Sequence, residues 1–472
     1  MTPNDDSELH SFDLVIVGSG SANSIPGPEF DDWSIALVER GTFGGTCLNV
    51  GCIPSKMFVY AADVADTIAT ASTYGISATF EGADWPAIRD RVFGRIDPIA
   101  EGGRVFRCGT ACPNIEIFAG LAHFVGDREL AVQLNDGGIA HVRGRHVVLG
   151  AGARPFIPPY PGIEQTPFHT SDTVMRLDEL PQRMIVLGGG YIAAELGYVF
   201  SALGTDVTLV NRSARLLRAE DDDVSEAYTR AARRHFDLRL EAAVTYVCEL
   251  PEGGVAVEMD IDGEHQRVTA DVLLVATGRV PNGDVLALEA AGVDHDDGRV
   301  LVDEHFRASA EGVWSFGDLA SEIQLKHLAN AHVRALRHNL LVAEGREPGP
   351  MRTVDERHVP HAVFSHPQVA SVGLTERDAV AASLPISVAT KPFGHTAYGW
   401  AMEDHSSFAK LIAHAETREL LGAHIIGPQA STLIQQLISG MAFGQTVDQM
   451  AHDQFYIHPA LTEVIENALL EL

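Results

Sequence analysis

The chain has 472 residues, a length that predicts two to four domains with large hydrophobic cores. Its 34 Lys and Arg residues stand against 64 Asp and Glu residues, and the net charge of −30 argues against binding to nucleic acid. There is no apolar run of about 18 residues and no signal-peptide pattern, and five cysteines in so long a chain indicate a reducing compartment. We therefore expect a cytoplasmic protein without membrane or nucleic-acid partners.

The first predicted strand, 12–17, is followed by a turn that contains Gly18 and Gly20. Glycines between a strand and a helix let a pyrophosphate approach the backbone at the helix N-terminus. The third glycine of this motif is replaced by asparagine, and two prolines beyond it predict a short or irregular helix. A second predicted strand, 35–38, ends in Glu39, whose carboxylate could bind an adenosine ribose. The pattern predicts a dinucleotide site, with a surface glutamate as the alternative for Glu39.

Two cysteines, Cys47 and Cys52, lie in the run GGTCLNVGCIPSK at 44–56. Residues five apart in a helix have Cα atoms roughly 8–9 Å apart, whereas a disulfide needs about 5.5–6 Å. A bridged pair therefore excludes regular helix between the cysteines, and Pro54 predicts that helix begins near it. Cys52 would then lie at a helix N-terminus, which favours a thiolate, with Cys47 further out. Such a pair suits stepwise disulfide exchange, with a zinc half-site and a structural bridge as alternatives.

The next stretch has helical spacing to about Phe106, and Cys108 and Cys112 follow it. Their spacing would allow a second redox pair, but plain thiols are favoured because no partner motif surrounds them. We interpret the isolated fifth cysteine as structural. The ranges 115–124 and 146–149 predict β structure on either side of a hairpin-like region.

A second glycine motif follows a buried-type strand at 184–187, with Gly188 and Gly190 at the turn and a helix to Leu203. Strand, glycines and helix all stand in the context that a dinucleotide site requires. The chain therefore has two predicted nucleotide sites.

The next predicted strand, 206–210, ends at Asn211, where an NAD site would carry an acidic residue. Arg212, Arg215 and Arg218 follow, and guanidinium groups are suited to a 2′-phosphate. We predict NADPH over NADH, with a solvated basic loop as the alternative.

The run at 44–56 resembles the active-site motif of the flavin-dependent pyridine nucleotide–disulfide oxidoreductases. Segments at 150–155, 277–282, 313–318 and 458–463 resemble other motifs of that family, so the resemblance covers most of the chain. It implies an α/β fold with two doubly wound, Rossmann-like domains for FAD and NAD(P) and an α+β dimerisation domain.

The resemblance also implies domain boundaries. The first part of the FAD-binding domain would span 1–160 and the NADPH-binding domain 161–280. A central segment, 281–349, would complete the FAD domain, and 350–472 would form the dimerisation domain of a homodimer.

In this family the two cysteines form a redox-active disulfide beside FAD. By resemblance, Cys47 would attack the substrate and Cys52 would remain beside the flavin as the thiolate. Lys56 would pair with Glu195 beneath the flavin and lie near its N5, where the positive charge favours the reduced anion. A surface glutamate is the alternative for Glu195.

Near the C-terminus, His458 resembles the family's histidine that reaches the partner subunit's disulfide, and Glu463 would orient its ring. A departing thiolate needs a proton near neutral pH, which an imidazole can supply. A structural histidine is the alternative.

The resemblance assigns the cofactor contacts residue by residue. Tyr191 would cover the nicotinamide pocket, with a core tyrosine as the alternative, and Asp318 would accept a hydrogen bond from the ribityl chain. For FAD the residues are Gly18, Gly20, Glu39, Gly45, Thr46, Lys56, Gly152, Gly317 and Asp318. For NADPH they are Gly188, Gly190, Tyr191, Arg212, Arg218 and Gly278.

These features predict an NADPH-dependent flavoprotein disulfide reductase. The ranges 56–65 and 325–327 are most similar to the branch of the family that reduces mycothione, the disulfide of mycothiol. We therefore expect a small-molecule disulfide substrate and no metal.

Other activities are alternatives. A dihydrolipoamide dehydrogenase should prefer NAD and carry an acidic residue at the position that Asn211 occupies here. Mercuric reductase and high-molecular-weight thioredoxin reductase need a C-terminal thiol pair, which 467–472 lacks. A glutathione-type reductase binds an anionic disulfide, which Glu29, Asp31 and Asp32 disfavour. A redox-sensing flavoprotein without turnover is the alternative from another class.

Overall fold

The structure is a computed structural model that describes residues 9–472. The chain divides into two compact units, each built from three segments. The first unit contains the chain up to Pro54, Asp90–Phe156 and Arg279–Glu356. The second contains Ser55–Arg89, Ile157–Gly278 and Arg357–Leu472.

The strands of the described residues are, in chain order, β1 Leu9–Val17, β2 Ile35–Glu39, β3 Ile115–Gly126, β4 Glu129–Leu134, β5 Ile139–Leu149, β6 Ala153–Pro155, β7 Arg183–Leu187, β8 Asp206–Val210, β9 Phe236–Arg239, β10 Ala243–Glu249, β11 Val255–Ile261, β12 Glu264–Ala270, β13 Val272–Val275, β14 Arg279–Pro281, β15 His295–Asp296, β16 Arg299–Val300, β17 Val313–Ser315, β18 His361–Val363, β19 Val369–Gly373, β20 Ile386–Pro392, β21 Phe408–His414 and β22 Leu420–Ile426.

The α-helices of the same residues are α1 Gly45–Asn49, α2 Cys52–Thr70, α3 Trp85–Cys108, α4 Tyr191–Ala202, α5 Asp222–Ala232, α6 Lys326–Ala343, α7 Glu376–Ala381, α8 Ala397–Ala401, α9 Ala430–Ala442, α10 Val447–His452 and α11 Thr462–Leu470. Among the residues with described structure, no helix is both long and apolar enough to span a membrane.

The first unit is organised around a six-stranded sheet. Strand β1 pairs in parallel with β2 and β5, β2 with β3, and β5 with β17, while β4 joins β3 and β5 in antiparallel register. Both faces are covered: Leu14 and Ile16 belong to one apolar core with α6, and Val15 and Val17 to another. This arrangement explains why the strand reads as a continuous apolar run, as buried parallel strands do.

The second unit contains three sheets. A parallel sheet has the order β13-β7-β8-β9, and β10, β11 and β12 form an antiparallel sheet. The third is a five-stranded antiparallel sheet, β18-β19-β22-β21-β20. Its core includes Leu411 and Ile425 from the strands, Leu437 from α9 and Ile465 from α11.

One predicted element differs in detail from the structure, and another is as irregular as predicted. The helix expected to begin near Pro54 begins at Cys52, because proline is tolerated anywhere in a first turn, where its missing N–H has no partner to lose. Between Gly20 and β2 the chain forms two short 3₁₀ turns, Ser21–Ser24 and Pro28–Phe30, a short and irregular arrangement as the nearby prolines predicted.

Candidate active site

The two cysteines lie on separate helices. Helix α1 ends at Asn49 and α2 begins at Cys52, so the regular helix is interrupted between the thiols, as predicted. A Cβ at Gly51 would lie 2.9 Å from the backbone oxygen of Thr46, so a larger residue would force the two helical segments apart. Glycine at this position therefore allows the cysteines to approach.

Both cysteines are thiols and are not joined by a disulfide bond; Cys47 is half-buried and Cys52 is exposed. A hydrogen bond with Cys52 raises the pKa of Cys47, burial raises it further, and the positive charge of Lys326 acts in the opposite direction. The Cys47 thiol of this reduced pair therefore holds its proton at neutral pH. Attack by Cys47 on a disulfide would require a base to take that proton.

Lys326 begins α6 and stands close to the first glycine loop. Its Nζ lies 2.7 Å from Ser21 Oγ, which in turn lies 3.3 Å from Asn330 Oδ1. In the sequence this segment showed only a similarity to one branch of the family, and it did not predict a positive charge near Cys47. Only the fold brings Lys326 to the loop, because the two segments are about 300 residues apart in the chain.

The first glycine loop is packed too closely for side chains. A Cβ at Gly18, which has a φ of +102°, would lie 2.4 Å from the oxygen of Gly150. A Cβ at Gly45 would lie 2.6 Å from Gly20 Cα. Together with Thr46 in the short helix α1, these residues form a bare backbone cradle at the end of β1. Such a cradle is suited to a pyrophosphate.

Glu39 lies at the end of β2 beside this loop. Its Oε2 accepts hydrogen bonds from the backbone N–H and the hydroxyl of Ser19, at 2.9 and 2.7 Å. Its Oε1 accepts from the N–H of Gly41. Glu39 is therefore attached to the glycine loop and is not a freely solvated surface residue.

Three further predicted positions belong to the same unit. Gly152 has a φ of +65° and open space where a Cβ would be, and Gly317 has a φ of +64°. Burial raises the pKa of the neighbouring Asp318, although the charges of Arg279 and Lys326 lower it. A carboxylate in such a setting gains from a hydroxyl donor, as a ribityl chain would supply.

In the second unit, Lys56 and Glu195 form an ion pair. Lys56 Nζ lies 2.6 Å from Glu195 Oε2, and Glu195 Oε1 accepts from the backbone N–H of Phe364 at 2.9 Å. Burial raises the pKa of Glu195, and the charge of Lys56 lowers it. The ammonium also lies 4.7 Å from the centre of the Phe364 ring. The structure thus brings the predicted pair together, and its placement beneath a flavin remains a prediction.

The second glycine motif joins β7 to α4. A Cβ at Gly188 would lie 2.2 Å from the oxygen of Ala276, so only glycine fits beside the end of β13. Gly190 caps α4, and Tyr191, the first residue of that helix, is exposed. Gly278 has a φ of +132° with open space around it. These positions leave the backbone accessible at the carboxyl ends of two parallel strands, where nucleotides bind.

The arginine loop follows β8. The buried Asn211 side chain donates to the backbone oxygens of Ser213 and Arg215, and Arg215 pairs with Asp222 at 2.9 Å. Of the three arginines, Arg215 is therefore already committed to an ion pair.

Arg212 and Arg218 are exposed, and neither forms an ion pair with any residue that the structure describes. They are the two arginines predicted to contact a 2′-phosphate.

His458 and Glu463 also lie together. His458 Nδ1 is 2.6 Å from Glu463 Oε1, and the histidine side chain is 73 % exposed. A carboxylate bound at Nδ1 fixes the ring and leaves Nε2 available for proton transfer.

Comparison with known proteins identifies the family. Residues 12–333 match the family model described as pyridine nucleotide-disulphide oxidoreductase, and residues 359–469 match the dimerisation domain of that family. The chain belongs to the pyridine nucleotide–disulphide oxidoreductases. The expected α/β fold, with two Rossmann-like domains and a dimerisation domain, is confirmed.

Three similar proteins place the chain within this family. The chain is 49% identical over 467 residues to mycothione reductase of Mycobacterium tuberculosis H37Rv, covering 98% of this chain and 100% of the relative. It is 35% identical to mercuric reductase of Streptomyces lividans, covering 96% and 94%. A solved structure, the Cu(II) complex of the HOCl-induced flavoprotein disulfide reductase RclA from Escherichia coli, is 27% identical with a TM-score of 0.84, covering 98% and 99%.

As a pyridine nucleotide–disulphide oxidoreductase, the chain is an FAD-containing enzyme that uses a nicotinamide dinucleotide. The close-packed glycine loop, Glu39 and the half-buried Asp318 fit FAD in the first unit. In the second unit, the motif at Gly188 and Gly190 fits the nicotinamide dinucleotide. The chemistry of the donors in each unit thus agrees with the cofactors of the family.

The acidic residues at 29, 31 and 32 were expected to disfavour an anionic substrate, but most of their charge is compensated within the fold. Glu29 pairs with Arg337, and Asp32 pairs with Arg346 at 2.8 Å. Two of the three acids are therefore neutralised within the first unit. The charge of this stretch does not discriminate between substrates, because arginines of α6 and the turn after it neutralise it.

The remaining cysteines are free thiols in this structure. Cys108 is exposed at the end of α3 and Cys112 is buried, each within 4 Å of a guanidinium nitrogen. Cys248 is half-buried and free. Among the described residues, no group of three or more His, Cys, Asp or Glu side chains could hold a metal ion.

Proposed function

We propose that this chain reduces mycothione to mycothiol with NADPH, through a redox pair formed by Cys47 and Cys52. The observation that carries the substrate is the 49% identity, over the full length, to a mycothione reductase. A match to one domain would support only the fold. This match covers 98% of the chain, including the segments that hold the predicted site residues. Dihydrolipoamide dehydrogenase and glutathione-type activity are not favoured.

FAD, when bound, carries two electrons from the nicotinamide to the disulfide of the protein. With the pair reduced, the Cys47 thiolate attacks one sulfur of mycothione, breaks its disulfide bond and releases the first mycothiol. Cys52 then attacks the Cys47 sulfur, which forms the Cys47–Cys52 disulfide and releases the second mycothiol. One dithiol and one mycothione thus give one protein disulfide and two mycothiols.

His458 carries the proton that this exchange requires. Its Nε2 takes the proton that the raised pKa keeps on Cys47, and returns it to the first departing thiolate. Glu463 orients the ring through Nδ1. We propose that this histidine belongs to the partner subunit of a homodimer, so that each active site is shared. The predicted domain boundaries at 160, 280 and 349 and a cytoplasmic location belong to the same proposal.

Steady-state assays with several disulfides test the substrate. The purified enzyme should consume NADPH with a higher kcat/KM for mycothione than for glutathione disulfide or lipoamide. Each assay contains the same enzyme, so the FAD content cannot explain a difference. Faster reduction of glutathione disulfide or lipoamide would overturn the assignment of mycothione.

The cofactor is tested at the arginine loop. Arg212→Ala and Arg218→Ala should each raise the KM for NADPH by about tenfold, the order expected for one charge-assisted hydrogen bond to phosphate. The KM for NADH should change little, because NADH lacks the 2′-phosphate. Arg233→Ala removes another exposed arginine beyond α5 and serves as the matched control. Equal losses with both cofactors would contradict 2′-phosphate binding by these arginines.

A further inference from the structure

A buried lysine on the five-stranded sheet is tied to the start of α5. Lys410, on β21, is 2% exposed. Its Nζ lies 2.8 Å from Asp221 Oδ1, 2.6 Å from Asp223 Oδ2 and 2.6 Å from Glu376 Oε2. A buried ammonium is costly unless it is paired, so this cluster holds its members in one geometry.

Glu220, the residue before Asp221, is bound to the same five-stranded sheet. This glutamate is 4% exposed. Its Oε1 lies 2.7 Å from Nε2 of His361 on β18, and its Oε2 accepts a hydrogen bond from the hydroxyl of Ser371 on β19 at 2.6 Å. The side chains of Glu220 and Asp221 therefore contact three strands of the sheet. Asp221 also caps α5 by accepting from the N–H of Asp223.

These contacts hold one end of the arginine loop. Arg215 and Arg377 both pair with Asp222, at 2.9 and 3.0 Å, between the two aspartates that bind Lys410. Within the loop, next to Arg218, the N–H of Leu217 donates to the oxygen of Gly189 at 2.7 Å. The loop is thus held by the glycine motif on one side and by the five-stranded sheet on the other.

Charge makes Lys410 important to this arrangement. One ammonium faces three carboxylates, and burial opposes its charge, but the hydrogen bonds that it donates to Asp221, Asp223 and Glu376 outweigh burial and raise the pKa of Lys410. Without the ammonium, the three carboxylates that now converge on Lys410 would face one another at the end of the arginine loop, three residues beyond Arg218. Their mutual repulsion would displace this end of the loop and so the arginines that it carries.

We propose that Lys410 is a positioning residue for recognition of the 2′-phosphate, because it fixes the loop that presents Arg212 and Arg218. This inference rests on the proposed use of NADPH. It places a determinant of cofactor selectivity on the five-stranded sheet, outside the nucleotide motifs. NADH binding depends less on Lys410, since NADH has no group that the two arginines must meet.

The test is Lys410→Met in the full-length, FAD-loaded enzyme. The KM for NADPH should rise by about tenfold, within the range of coupling effects between linked sites, with kcat for mycothione retained. The KM for NADH should change less than about twofold. Titration calorimetry should show the same selective loss for NADP⁺ against NAD⁺, which does not depend on turnover. Lys391→Met is the matched control, since Lys391 on β20 pairs with Glu471 at 2.6 Å.

A second variant covers the case in which Lys410→Met fails to fold. Ser371→Ala removes only the hydroxyl that binds Glu220 and should give a smaller loss, also selective for NADPH and NADP⁺. Equal losses for both cofactors, or unchanged selectivity in the variants that fold, would overturn the role of Lys410. A wild-type enzyme that binds NAD⁺ as tightly as NADP⁺ would instead overturn the proposed cofactor, and this inference with it.

Discussion

Replacement of Cys47 by serine is expected to abolish mycothione reduction while leaving FAD bound. A serine hydroxyl does not attack a disulfide under conditions in which a thiolate does, so kcat should fall by a factor on the order of 10⁴ or more. The residues that fit FAD, among them Gly18, Glu39 and Asp318, are unchanged by the substitution. The flavin content should therefore equal that of the wild type.

Two measurements separate loss of chemistry from loss of cofactor. NADPH consumption with mycothione reports turnover, and the flavin absorbance per chain reports FAD. Cys108→Ser is the matched control, because it removes an exposed thiol of the same unit that lies outside the proposed chemistry. Wild-type rates in the Cys47→Ser enzyme would contradict the thiol mechanism. A wild-type chain without turnover on any disulfide would favour the redox-sensing alternative.

The elements with strong local patterns could be predicted from the sequence. The strand expected at 206–210 is β8, Asp206–Val210, and the helix expected after Gly190 is α4, Tyr191–Ala202. In both, an apolar run is bounded by glycine or a polar residue, so local preference and tertiary burial agree. The break between Cys47 and Cys52 followed from the dimensions of a helix together with the requirement that the two cysteines can form a disulfide.

The contacts between distant parts of the chain could not be predicted in this way. The bond from Lys410 to Asp221 joins residues 189 positions apart, and that from His361 to Glu220 joins residues 141 apart. No local pattern connects such pairs, because each polar residue taken alone reads as a solvated side chain. The pairing of Lys56 with Glu195 was reached only through the family resemblance.

Ion pairs also altered what individual charged residues indicate about a ligand. Asp32 and Glu29 suggested an acidic substrate surface, but arginines some 300 residues later neutralise them. Arg215 resembled a phosphate ligand until its pairing with Asp222 was evident. A charge becomes informative about a ligand only when the fold leaves it unpaired, as it does for Arg212 and Arg218.

Mixing two inactive variants should restore activity if the active site is shared. His458→Ala alone is expected to lower kcat by about 10²–10⁴-fold, the usual contribution of a positioned acid–base group. When Cys47→Ser and His458→Ala chains exchange subunits at random, half of the dimers are mixed. In each mixed dimer, one site combines an intact cysteine of one chain with an intact histidine of the other, so about a quarter of all sites should recover.

The result distinguishes the two possible origins of the histidine. If His458 served the cysteines of its own chain, every site in a mixed dimer would lack one of the two residues, and no activity would return. Mixing His458→Ala chains with Cys47→Ser/His458→Ala double variants is the control, because no intact histidine is then present and recovery is impossible in either arrangement. Recovery in the first mixture and its absence in the second would require Cys47 and His458 to act across the subunit interface. No recovery in either mixture, with subunit exchange verified by differently tagged chains, would contradict the shared site while leaving the thiol chemistry of Cys47 intact.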